Sequence, residues 1–150
     1  MTYSASTIAK WFVAWAEAEA ADVSNLKLQK LLYYAQGHHL ALRDQPLFSD
    51  AIQAWSHGPV VPAIYREYKR FGSGDVHLDD DDGFRWEDVD GRTAQFLIRT
   101  WNTYGGYAAW RLRNMTHDEP PWRDAFRPNV NNVVIPQDAL KAFFKTRSIA

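Results

Sequence analysis

Residues 26–42, LKLQKLLYYAQGHHLAL, decide the fold of this chain. An apolar stripe recurs there at steps of three and four residues, which at about 100° per residue places it on one face of a helix. Its members are Leu28, Leu31, Leu32, Ala35, His39 and Leu42. A second stripe on the far side comprises Leu26, Tyr33 and Leu40. A helix that is apolar on two faces is normally packed between other elements. We therefore predict a central helix over residues 25–43, with Ser24 as its N-cap.

A narrow polar strip separates the two apolar stripes of this helix. Its members, spaced by three, four and four residues, are Lys27, Lys30, Tyr34 and His38. Gly37 lies within the same helix and costs up to about 1 kcal/mol of helix stability relative to alanine. Its presence predicts that a neighbouring element crosses the helix closely at this point.

Helical spacing of apolar residues recurs in the rest of the chain, which indicates a mainly α fold. The predicted helices cover residues 5–20, 62–71, 93–104 and 107–115, with a last helix opened by Pro136. The helix over 107–115 runs through Trp110 and Leu112. No linker divides the chain, so we predict a compact single-domain helical bundle over residues 1–150.

The segments between these helices are expected to be irregular. Gly58 and Pro59 are expected in a loop, and the double proline before Trp122 is expected to force a turn. Short alternating runs leave open a small β-hairpin or short strands in residues 73–90 and 132–135. The aspartate-rich part of 73–90 fits a solvated turn.

The composition excludes several functional classes. With 46% hydrophobic and 15% aromatic residues the chain can bury a large core, and the absence of cysteine excludes disulfides and thiolate metal sites. A formal charge of −1 provides no long-range attraction to nucleic acid or anionic membrane. The chain lacks a run of about 18 apolar residues and a signal-peptide pattern, so a cytoplasmic protein is expected.

Candidate catalytic and metal-binding groups are few. His38 and His39 are adjacent on a helix and point in different directions, so they cannot chelate one metal, and His39 lies on the core stripe. An EF-hand alignment of the aspartate run fails, because Leu78 and Val89 would occupy oxygen-ligand positions. One alternative remains, a metal-dependent or hydrolytic enzyme centred on His57 and His117. We expect no catalytic residue, no metal and no cofactor.

Basic residues occur in small groups on the predicted helices. These groups are Lys27 with Lys30, Lys69 with Arg70, and Arg99 with Arg111 and Arg113. Such groups are typical of the solvated faces of amphipathic helices, and the chain has no compact helix-turn-helix with a basic recognition helix. Direct binding of nucleic acid is therefore not expected.

Three stretches together resemble one known family. They are residues 26–42 above, QPLFSDAIQAWSHGPVVPAIYREYKRFG at 45–72, and THDEPPWRDAF at 116–126. In this order they are similar to the phage-associated, SocA-like proteins that share the Panacea domain. The resemblance implies a mainly helical antitoxin that neutralises a partner toxin by direct protein–protein binding. It also implies an alternative, in which the protein acts as an adaptor that delivers the toxin to an ATP-dependent host protease.

Many relatives carry a DNA-binding domain ahead of the shared one. Here the predicted domain begins almost at Met1, so we expect no such DNA-binding domain and no direct autorepression. The exposed tryptophans that the composition predicts could serve a homo-oligomer, the toxin or both.

The resemblance also distinguishes residues that define the fold from residues that could bind a partner. The strongest motif positions, which cores and tight turns require, are Leu28, Leu31, Leu32, Trp55, Gly58, Pro59, Tyr65, His117, Pro121 and Trp122. Partner binding should use variable, exposed positions, where aromatic residues and arginine contribute most. We therefore predict a partner-binding surface formed by Lys27, Lys30, Tyr34, His38, Arg66 and Arg70.

Overall fold

A computed structural model describes residues 2–149, which form seven α-helices, two short strands and two 3₁₀ turns. The helices are α1 (Ala5–Ala18), α2 (Asn25–Arg43), α3 (Pro62–Tyr68), α4 (Gly91–Tyr104), α5 (Ala109–His117), α6 (Pro120–Ala125) and α7 (Gln137–Phe144). The strands are β1 (Gln53–Trp55) and β2 (Gly58–Val60), and the 3₁₀ turns are Lys69–Phe71 and Trp86–Asp88. The mainly α fold is therefore confirmed.

Helix α2 is the centre of the structure, as the two apolar stripes predicted. The Ser24 hydroxyl accepts a hydrogen bond from the Lys27 amide at 3.2 Å, which caps the first turn. Helices α1, α3, α4, α5 and α7 all pack against α2. Nearly the whole of its length is buried, from Asn25 to Leu40. The close crossing expected at Gly37 is confirmed, because the ring of Phe144 in α7 lies against its backbone.

The only hairpin in residues 2–149 lies at 53–60, between α2 and α3, and not in 73–90. Strands β1 and β2 are antiparallel, with Ala54 opposite Pro59 and Trp55 opposite Gly58. The expectation of a loop at Gly58 and Pro59 is therefore wrong. Gly58 has φ of 107°, which glycine adopts without strain, and this allows the tight reversal into β2.

Residues 73–90 instead form turns that rest on the core. The Val76 amide donates to the Val23 carbonyl at 2.9 Å, and Leu78 and Phe84 pack partly buried against the core. Leu78 and Phe84 are thus covered without forming a hairpin, and Asp75 makes one isolated antiparallel bridge to Ser24. In 132–135, Val134 makes one isolated antiparallel bridge to Gln53.

The hydrophobic side chains of these elements form a continuous buried cluster. Leu112 of α5 belongs to it, but Trp110 of the same helix is 63% exposed. The two prolines before Trp122 occupy the first two positions of α6, where their missing amide hydrogens cost nothing. No helix among residues 2–149 is long and apolar enough to cross a membrane.

Candidate partner-binding site

The polar strip of α2 is buried, so its predicted exposure is wrong. Lys27 is 9% exposed, Lys30 0%, Tyr34 1% and His38 1%. The sequence shows that one side of the helix is polar, but not that β2, α4 and α7 cover that side. In this structure the four side chains make contacts within the chain and are not accessible to a partner.

Lys30 is a buried cation with a single hydrogen-bond partner. Its ammonium group donates to the Pro59 carbonyl at 3.0 Å, which fixes β2 against α2. A Cβ atom at Gly58 would lie 2.7 Å from Lys30 Cε and 2.9 Å from Thr116 Oγ1, so glycine is needed there for packing as well. Burial, with a smaller contribution from Arg113, lowers the pKa of Lys30 to about 7.

Lys27 joins the start of α2 to the end of α4. Its ammonium group donates to the Gly105 carbonyl and lies 5.5 Å from the centroid of the Trp101 ring. Burial lowers the pKa of Lys27, while Asp22 acts in the opposite direction. Lys27 therefore stabilises the contact between two helices.

Tyr33 and Tyr34 hold a half-buried carboxyl group that belongs to a distant segment. Their hydroxyls donate to Glu119 Oε1 and Oε2, each at 2.9 Å. The ring of Tyr34 also stacks on Tyr104, with 3.9 Å between the centroids. Burial raises the pKa of Glu119 to about 7, although the two tyrosine hydroxyls lower it.

His38 belongs to the same cluster. Its Nε2 atom lies 2.6 Å from the Tyr104 hydroxyl, and its ring packs against Phe144 with 4.7 Å between the centroids. Burial, assisted by the charge of Arg99, lowers the pKa of His38 to about 4. The imidazole is therefore neutral near pH 7. Its neighbour His39 is a buried histidine whose Nδ1 lies 2.6 Å from the Gln45 carbonyl, as its place on the core stripe predicted.

Two glutamines of α2 have structural roles that the sequence analysis missed. Gln36 Oε1 accepts from the amides of Leu47 and Phe48 at 2.8 and 3.2 Å, and its Nε2 donates to the Phe48 carbonyl at 2.9 Å. Gln29 Oε1 accepts from the Val61 amide at 2.9 Å. These roles could have been inferred from the sequence, because a helix with two apolar faces is buried and the side-chain amides of its glutamines then need hydrogen-bond partners.

The two histidines of the enzyme alternative do not form a metal site. His57 is exposed in the turn between β1 and β2, whereas the His117 ring stacks on Trp122 at 4.0 Å. Burial lowers the pKa of His117. Within residues 2–149, no three His, Asp or Glu side chains are placed to hold a metal ion. The stacking of His117 instead fixes the segment before α6.

The motif positions lie where core and turn residues are expected. Buried positions are Leu28, Leu31, Leu32, Gly58, Pro59, Pro121 and Trp122, and half-buried ones are Trp55, Tyr65 and His117. Trp122 Nε1 donates to the Trp55 carbonyl at 2.7 Å, which joins two of the three motif stretches. The fold-defining interpretation of these residues agrees with this placement.

The open surface of the chain includes a groove of about 420 Å³ beside the first turns of α2. It is lined by Asn25, Leu26, Gln29, His57, Val60, Tyr65, Lys69, Gly72 and Ser73. Tyr65 forms one wall and is supported by an edge-to-face contact with Trp55, with 5.1 Å between the centroids. The groove is mostly apolar, which suits the side chains of a protein partner.

Lys69 lines the groove, and two exposed arginines directly follow the lining residues Tyr65 and Lys69 in sequence; we name the three basic residues the cationic rim: Arg66, Lys69 and Arg70. The Nη2 atom of Arg70 lies 3.2 Å from Oδ1 of Asp79, and its guanidinium carbon lies 4.7 Å from the centroid of the Phe71 ring. Neither Arg66 nor Lys69 has an ion pair in the described chain. Of the six predicted partner-binding residues, Arg66 and Arg70 are thus exposed, and each directly follows a lining residue of the groove in sequence.

Comparisons with known proteins identify an antitoxin family and an antitoxin relative. The family described as antitoxin SocA-like, Panacea domain, matches residues 28–123. The antitoxin SocA of Caulobacter vibrioides (strain NA1000 / CB15N) is 40% identical over 68 residues, which cover 45% of this chain and 36% of that protein. No solved structure matches the chain.

Proposed function

The chain belongs to the SocA-like Panacea antitoxin family, and from this premise we propose that it neutralises a partner toxin by direct protein–protein binding. Family membership supports an antitoxin role and, with it, a role other than catalysis. We further propose that the protein acts in the cytoplasm, stoichiometrically and without a cofactor. Recognition takes place at the groove beside α2 and its cationic rim.

This assignment rests on the combination of a mostly apolar groove with the positively charged residues of the cationic rim. Arginine and tyrosine are the residue types that most often dominate binding energy at protein interfaces. Here Tyr65 and Lys69 line the groove, while Arg66 and Arg70 are exposed and directly follow these two residues in sequence. The matching partner is an acidic amphipathic segment of the toxin, with its apolar side chains in the groove and its carboxylates on the rim.

The walls of the groove are fixed before a partner arrives. Asn25 Nδ2 donates to the Tyr65 carbonyl at 3.0 Å, and Gln29 accepts from the Val61 amide. The Lys30 bond to the Pro59 carbonyl holds β2 on the same side of α2. Binding to a preorganised site loses less conformational entropy than binding to a mobile one. Lys30 therefore supports recognition without touching the toxin, whereas Asn25 and Gln29 both fix the walls and line the groove.

Co-expression with the product of the adjacent gene tests this function. We expect that product to be toxic alone, harmless together with this chain, and retained in a complex with it during purification. Rescue of growth without a stable complex, and its loss in a host that lacks the protease, would instead support delivery of the toxin for degradation. Absence of toxicity and of any complex would contradict the antitoxin role.

A further inference from the structure

A second cavity of about 320 Å³ is lined by acidic and aromatic side chains, whereas the groove is mostly apolar. It lies where the ends of α4, α5 and α7 meet the segment before α6, and it shares no lining residue with the groove. It is lined by Tyr104, Met115, Asp118, Glu119, Phe143, Phe144 and Arg147. Two of these residues are acidic and three are aromatic.

The carboxyl group of Glu119 can accept more hydrogen bonds than it receives. Each oxygen accepts one tyrosine hydroxyl, from Tyr33 or Tyr34, and each retains a further lone pair. Among the residues that the structure describes, no cation forms an ion pair with Glu119. Asp118 adds a second, exposed carboxylate at the same cavity. Arg147 lines the same cavity and its charge lowers the pKa of Glu119, but within residues 2–149 the carboxyl group has no directly paired cation.

The aromatic walls suit a flat cation. Arg147 already places its guanidinium 4.8 Å from the centroid of Phe143, which shows that this ring accepts such a group. Arg147 is exposed, and it forms no ion pair with Glu119 although both line the cavity. A guanidinium stacks on aromatic faces and also donates two parallel hydrogen bonds to a carboxylate, which a compact ammonium group does not do.

We propose that this cavity binds the guanidinium group of an arginine side chain that projects from a protein partner, with Glu119 as acceptor and Tyr104 and Phe143 as stacking surfaces. An arginine filling an aromatic and acidic pocket is a frequent source of binding energy at interfaces. This inference does not depend on the toxin-binding proposal, because it concerns a separate cavity and holds for any partner that presents an arginine.

The test uses N-acetyl-arginine methylamide as the probe and the neutral citrulline analogue, which has nearly the same shape, as its control. NMR titration of the full chain should show saturable shifts of the Tyr104 and Phe143 ring signals with the arginine probe alone. A bound cation favours the charged carboxylate. The pKa of Glu119, followed by its carboxyl carbon signal, should therefore fall when the probe is present. Equal shifts with the citrulline analogue would overturn the proposal.

Variants assign the binding to named groups. Glu119→Gln keeps the size of the side chain and should abolish binding, whereas Asp138→Asn, an exposed acid of α7, should leave it unchanged. Arg147→Ala removes a competing positive charge and should tighten binding several-fold. Retained binding in Glu119→Gln would overturn the proposal. If that variant does not fold, unchanged or weaker binding in Arg147→Ala would do so.

Discussion

A Cβ atom added to Gly37 would lie 2.1 Å from Cδ2 of Phe144, so the last helix closes directly on the backbone of the central one. The ring of Phe144 also packs edge-on against Tyr33 and Tyr34, at 5.5 and 5.9 Å between centroids. These two tyrosines hold Glu119. The absence of a side chain at Gly37 thus lets α7 cover Tyr33 and Tyr34, whose hydroxyls bind Glu119.

We predict that Gly37→Ala destabilises the protein, although alanine is the better helix former by about 1 kcal/mol. Phe144 is fully buried and cannot move away cheaply, so the net loss should be about 1–3 kcal/mol in denaturant unfolding. In a Phe144→Ala background the same change should cost much less. Strictly additive losses in this double-mutant cycle would show that the two residues do not compete for space.

Leu32→Ala should cost about 2–5 kcal/mol of unfolding free energy, because Leu32 is fully buried at the centre of α2. The matched control is Leu42→Ala, the same change in the same helix at a side chain that is 57% exposed. The control should stay within about 0.5 kcal/mol of the wild type. Equal effects of the two substitutions would contradict the central position of α2.

Gln36→Leu should destabilise the protein by about 1–3 kcal/mol for each buried amide that it leaves without an acceptor. The affected amides are those of Leu47 and Phe48. Gln95→Leu, at an exposed glutamine of α4, provides the control. If the Gln36→Leu variant were as stable as the control variant, these hydrogen bonds would not hold the segment after α2.

Two groups, Glu119 and Lys30, should contribute pH-dependent stability of opposite sign on the two sides of pH 7. Burial raises the pKa of Glu119 from 4.5 to about 7, so the folded state binds more protons than the unfolded state in that range. Glu119 should therefore contribute a fall in stability as pH rises from 4.5 to 7, and His38, whose lowered pKa gives a slope of the opposite sign between 4 and 6.5, offsets part of that fall. Burial lowers the pKa of Lys30 from 10.5 to about 7, so the folded state binds fewer protons above pH 7. Stability should then rise towards pH 10.5.

Each of these groups can change the unfolding free energy by at most about 1.4 kcal/mol per pH unit. Denaturant unfolding at a series of pH values measures both slopes. Relative to the wild type, Glu119→Gln should remove the falling contribution and so change the slope only below pH 7, and Lys30→Met should change the slope only above pH 7. If both variants kept the wild-type profile, other groups would have to account for the pH dependence.

Periodicity in the sequence was sufficient to predict the central helix and its capping residue. The apolar spacing of α2 and the isolated Gly37 depend only on local geometry, so the helix and the close crossing could be inferred. The coverage of the polar strip could not, since Tyr34 and Glu119 are 85 residues apart in sequence. A polar stripe looks the same in sequence whether it faces water or a half-buried carboxyl group.

The candidate site was predictable only in part, for a similar reason. Arg66 and Arg70 lie on the exposed face of a short helix, which helical spacing reveals. The groove beside them is assembled from the start of α2, the β1–β2 turn and the residues of 65–73, which are adjacent only after folding. Trp110 shows the same limit, because helical spacing placed it in a helix but did not reveal that it is 63% exposed.

The most direct test of toxin recognition is the dissociation constant of the purified complex between this chain and the product of the adjacent gene. We predict that Arg66→Glu combined with Arg70→Glu weakens binding at least about tenfold, a loss of about 1.4 kcal/mol, without altering stability comparably. Arg92→Glu combined with Arg99→Glu, the same charge change on exposed positions of α4, should leave the constant within about twofold. Unchanged binding by the Arg66 and Arg70 variant, or an equal loss in the α4 control, would contradict recognition at the cationic rim.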